Sequence, residues 1–188
     1  MNYAGLPTKV SVVFYTKPEF KADIKSAHYK QVRRAGFWIG LLGRTKIHHT
    51  GLMLSRDDKT VVLATGEGSR AKFIDEECYH TKGSDNAAKP ILVADLGITD
   101  VSLKLLNQFI KVPYRGRRRD LFFYCLFSRF FFPSVLAKSC ALLTCEMLRM
   151  IGYNIEDYVI PRDLERVLSK SYPIIPWEEY VKENKLRS

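Results

Sequence analysis

Cys140-Ala141-Leu142-Leu143-Thr144-Cys145-Glu146-Met147-Leu148-Arg149-Met150-Ile151-Gly152-Tyr153 is an apolar run that opens on a cysteine and stops at a glycine. Its spacing predicts a helix from near Ser139 to Ile151, with Gly152 as its end signal. Far upstream, His49-Thr50-Gly51-Leu52-Met53-Leu54 places an imidazole at the head of an apolar strand. A thiol at a helix N-terminus feels positive potential, and an imidazole can take its proton, so the pair has the parts of a nucleophile and its base. Away from such a setting, a cysteine in an apolar helix is simply a small core hydrophobe.

Working outward, Lys9 to Tyr15 is rich in β-branched and aromatic residues and reads as a buried first strand, ending before Pro18. Lys21 to Leu42 reads as mixed helical and irregular, with a helix stop near Gly36. Ile47 to Leu54, the polar turn Ser55 to Lys59, and Thr60 to Thr65 follow hairpin grammar. Further strands are predicted at Ala71 to Ile74 and Ile91 to Leu96, with a loop at Lys82 to Asn86 and an antiparallel sheet overall. Thr99-Asp100 ahead of Val101, Leu103, Leu105, Leu106, Phe109 and Ile110 predicts a capped amphipathic helix closed by Pro113. Further helices are predicted over Leu121 to Phe131 and over Pro161 to Leu168, where proline suits the first turn.

The 188 residues, 46% of them hydrophobic, are enough for one substantial core and short for two. A single domain over 1–188 is expected, with 169–188 as a C-terminal extension. Lys+Arg 30 against Asp+Glu 20 leaves a net charge of +10, which draws the protein toward phosphate, anionic lipid or acidic partners without choosing among them. The cysteines Cys78, Cys125, Cys140 and Cys145 show no metal-ligand spacing, so neither a metal nor another cofactor is expected. The first residues lack the apolar core of a secretory signal, which predicts free thiols and a cytoplasmic location.

Several motifs together resemble the papain-like NlpC-type cysteine hydrolases. The run from Cys140 to Gly152-Tyr153 resembles their nucleophile helix. The order, histidine strand first and cysteine helix last, resembles the circularly permuted branch, which has viral and bacteriophage members. His49-Thr50-Gly51-Leu52 fits its H-x-G-[LI] strand, Val61-Val62-Leu63-Ala64-Thr65 its following strand, Ile110-Lys111-Val112-Pro113-Tyr114 the segment before the cysteine helix, and Ile160-Pro161-Arg162-Asp163-Leu164 a proline-started helix after it. The resemblance spans about Val10 to Leu168. It implies an α+β, permuted papain-like fold in which an antiparallel sheet or small barrel packs against the cysteine helix. Cys140 would be the nucleophile and His49 the general base, cleaving an amide or ester bond in a peptide, peptidoglycan or acyl substrate.

His48 is adjacent, but strand alternation turns neighbours to opposite faces, and His49 stands where the motif histidine does. Cys145, inside the helix, is expected to pack in the core. Permuted members commonly carry a polar residue on the second strand to orient the histidine; the matching position here is Leu63, with Thr65 two residues on and Glu67 farther away. A second reading follows from that difference: a virion or assembly component that keeps the fold with little or no catalysis. A third is a lipid acyl hydrolase or transferase.

Two further stretches bear on partners. Arg115-Gly116-Arg117-Arg118-Arg119 suits phosphate, or a solvated loop, and matches no nucleic-acid-binding motif. Leu121 to Phe132 is the most apolar stretch, yet it is too short to span a bilayer and is interrupted by Arg129. Aromatics on every face of that helix predict a protein assembly partner. The tail Tyr172 to Trp177 predicts an extended cover first, a partner-binding peptide second.

Overall fold

The computed structural model describes residues 5–16, 46–57, 59–64, 71–76, 89–110, 140–158 and 160–185. The expected helices over Lys21 to Leu42 and Leu121 to Phe131, the basic run 115–119, the loop at 82–86, the segment 111–114, and Thr65 and Glu67 lie outside them.

Six strands form one sheet in the order β4-β3-β2-β1-β5-β6, each neighbouring pair antiparallel. They are β1 (Leu6–Thr16), β2 (His49–Arg56), β3 (Lys59–Ala64), β4 (Lys72–Asp75), β5 (Lys89–Val101) and β6 (Ile174–Pro176). Four helices accompany them: α1 (Leu103–Ile110), α2 (Cys140–Met150), α3 (Pro161–Leu168) and α4 (Trp177–Lys185). This is the α+β mixture with an antiparallel sheet that the strand grammar predicts.

Strand β1 is central, and its alternating side chains divide the core in two. Val10, Val12 and Phe14 face one way, with Leu52, Leu54, Leu63, Ala94 and Leu96. Against them pack Ala141, Leu143, Cys145, Met147 and Leu148 of α2 and Leu164 and Leu168 of α3. Val13 and Tyr15 face the other way, with Met53, Val62 and Val93, and meet Tyr180 of α4 together with Ile175 and Trp177. Register maintains the division: Leu52, Val12, Ala94 and Ile174 are successive partners across four strands, and so are Gly51, Val13, Val93 and Ile175.

Three elements differ from the sequence reading. Strand β5 runs on to Val101, because β1 reaches down to Leu6 and pairs Leu6 with Val101, Pro7 with Asp100 and Thr8 with Thr99. Thr99-Asp100 is therefore strand, not a cap. The cap is Ser102, whose Oγ accepts from the Leu105 amide at 3.4 Å, satisfying a first-turn donor. Second, Ser55, Arg56 and Lys59 belong to the strands, leaving a tighter turn in which Asp57 takes a positive φ of 51°. Asp tolerates that left-handed conformation better than most residues. Third, the tail adds β6 to the edge of β5 and continues as α4, whose Tyr180 is buried and stacked on Trp177 at 5.7 Å. The extended cover is thus a strand, with a helix beyond it.

Arg56 fastens the far end of the sheet. Its Nη2 donates to Thr8 Oγ1 at 2.7 Å and to the Val101 carbonyl at 2.8 Å. Its Nε donates to the same threonine oxygen at 3.1 Å.

Candidate active site

Helix α2 is described from Cys140 and ends in a Schellman motif. Gly152 has a φ of +98°, the Tyr153 amide donates to the Leu148 carbonyl at 3.0 Å, and the Gly152 amide to Arg149 at 3.1 Å. Glycine is suited to that position because a side chain strains a left-handed backbone. At the other end Thr144 Oγ1 donates to the Cys140 carbonyl at 2.9 Å, bracing the first turn. No carboxylate lies in that turn to offset the helix dipole.

The two thiols of α2 differ in setting: Cys140 is half-buried, Cys145 wholly buried. Burial pushes the Cys145 thiol up to about 11, outweighing the Tyr158 backbone amide and the nearby Arg149, which pull the other way. A neutral, sealed thiol is a packing group. Tyr153 closes the floor below, its hydroxyl donating to the Leu96 carbonyl at 3.2 Å. Beside it, Arg149 bridges Asp157 at 2.6 Å and donates to the Ile155 carbonyl at 3.0 Å.

His49 is the first residue of β2 and pairs with Tyr15, the ring centroids 5.5 Å apart. It is partly buried, and desolvation takes the imidazole from 6.5 down to about 4, so it is neutral at pH 7. Directly opposed residues share a face, so His49 lies with Tyr15 on the α4 side of the sheet. The buried residues of α2 lie on the other side, with Leu52 and Leu54. Leu63, at the position where permuted members carry a polar residue, is fully buried on that α2 side. On β3, Val62, opposite Met53, shares the His49 face.

Sequence reasoning passed over two residues of this neighbourhood. Tyr15 reads only as the end of an apolar strand, because its partner lies 34 positions away. Thr50 is fully buried with its hydroxyl lacking a hydrogen bond. It reads as an ordinary strand threonine, and no local signal marks it. Among the described residues no group of three or more His, Cys, Asp or Glu side chains could hold a metal ion, and no helix is long and apolar enough to cross a membrane.

No known family model matches this sequence, and no curated protein matches it.

Proposed function

We propose that the chain is a thiol hydrolase of permuted papain-like type, with Cys140 as nucleophile and His49 as base, acting on an amide or ester bond. The observation that carries this is the contrast within one helix: Cys140 heads α2 half-buried, while Cys145 is sealed and held neutral. The lower end of α2 is tied to β5 at Leu96, near the level where Val10 pairs with Gly97. Laid along the strands, an 11-residue helix extends about 16 Å. Five strand residues rise by about the same at ~3.3 Å each. A thiol hydrolase requires this helix to run along the strands toward the end where Tyr15 and His49 pair, bringing Cys140 there.

In this reading the two residues, each first in its element, meet around the end of the sheet. The Cys140 sulfur bonds to the carbonyl carbon while His49 takes the thiol proton and passes it to the departing amine or alcohol. Amides of the first turn of α2 donate to the oxyanion. Water then attacks the thioester, frees the acid, and restores the thiol. The substrate classes implied by the resemblance are peptides, peptidoglycan and acyl lipids.

Two observations favour the second reading, an assembly component keeping the fold with little or no catalysis. The sheet stands between the His49 ring and the buried face of α2, and an imidazole near 4 is a weaker base than neutral-pH chemistry favours. Iodoacetamide labelling at pH 7, read by peptide mass spectrometry, separates the two. Hydrolase chemistry requires Cys140 to label about tenfold faster than Cys145 or more, and to lose that lead in His49→Ala. Equal, slow labelling of both thiols would leave the assembly reading.

A further inference from the structure

Tyr15 and His49 are cross-strand partners in the β1–β2 pair, with their rings 5.5 Å apart and tilted by 41°. Tyr15 is itself immobilised: it is fully buried in the cluster of Val13, Met53, Val62, Val93 and Tyr180. Its backbone is also set apart, because the β1–β5 register shifts between Phe14 and Tyr15. Irregularities of this kind re-aim a side chain and recur beside functional sites.

Gly51, two residues beyond His49 on the same face, lies close against the β3 backbone. A Cβ there would stand 3.7 Å from Tyr15 Cε2, 3.5 Å from Val62 Cγ1 and 3.0 Å from the Leu63 carbonyl oxygen. The positive-φ glycines of the described chain are Gly97 and Gly152, so Gly51 answers a need for space and not for an unusual backbone. Two features, the cross-strand pair and the register shift, thus converge on one ring-to-ring contact.

We propose that Tyr15 is the positioning residue of His49, its ring holding the imidazole in one orientation. The inference rests on the reading of His49 as the base. Tyr15 acts through His49 and does not itself touch the reacting atoms. The charged side chains Lys9 and Asp95 pair with each other at 3.0 Å on this same face, six residues back along β1 from Tyr15.

The test uses the full chain. Imidazole resonances of His49 are assigned by their loss in His49→Ala, and nuclear Overhauser contacts to the Tyr15 ring are sought in the wild type. They are expected, and their absence in the folded wild type overturns the proposal whatever the variants do. Tyr15→Phe keeps the ring and is expected to retain the pH profile of Cys140 alkylation within about twofold, whereas Tyr15→Leu lowers the neutral-pH rate about tenfold. Tyr15→Leu is also expected to move the His49 titration up toward 6.5; an unmoved titration in a folded Tyr15→Leu protein, or Tyr15→Phe behaving like Tyr15→Leu, overturns the proposal. If wild-type alkylation ignores His49→Ala, the base reading fails, and the Overhauser contacts and titration still decide whether Tyr15 orients the ring.

Discussion

Acid is expected to destabilise this protein through His49. Its imidazole is neutral in the fold down to about 4, against 6.5 for an ordinary one. Above pH 6.5 the group is uncharged in both folded and unfolded chains and the stability is complete. As the pH falls from 6.5 the unfolded chain binds a proton that the folded chain refuses, and the loss is complete once the folded imidazole also titrates, near 4. Each tenfold difference in proton affinity between the two states corresponds to about 1.4 kcal/mol, so the full gap amounts to about 3 kcal/mol, of which about 2 kcal/mol is lost by pH 5. That is a large fraction of a typical domain's stability, about 5–15 kcal/mol. The assay is urea unfolding from pH 7.5 to 5, on the wild type and on His49→Gln, which cannot titrate. The wild type should lose about 2 kcal/mol more than the variant over that range. Parallel stability curves would mean that the folded imidazole titrates in its ordinary range, and the burial ascribed to it would be wrong.

Arg56→Ala should cost about 2 kcal/mol in urea unfolding, because Thr8 Oγ1 and the Val101 carbonyl lose a charged donor together; a loss under about 0.5 kcal/mol, as for an ordinary surface substitution, would show that the clamp is ornamental. Cys145 should resist alkylation in the native protein at pH 8 and react promptly in urea, since burial holds the thiol near 11; rapid native labelling of Cys145 would mean that α2 does not seat against the sheet as described.

The C-terminal end of α2 was open to sequence reading because its determinants are local. Apolar spacing carries the helix, and Gly152 stops it by a conformation that needs no distant partner. Pro161 marks the start of α3 for the same reason, at a position where its missing amide has no bond to lose. The contrast between Cys140 and Cys145 follows from their places in that helix. Thr99-Asp100 misled because the pair is a fair cap in isolation, and only the arrival of Leu6 and Pro7 alongside turns it into strand. Ser102, one position past that strand, was then left to cap α1.

What the amino-acid order determined by itself was the set of elements whose signals lie within a few residues: the apolar strands β1 to β3, the cysteine-headed helix and the proline-started one. Tertiary structure alone decided the length of β5, the addition of β6 and α4, and the face of the sheet to which each side chain turned. It also decided that Tyr15 would rest against His49. The physical reason is that a strand's ends and its neighbours are set by hydrogen bonds to chain far away in sequence, whereas a helix closes its hydrogen bonds upon itself.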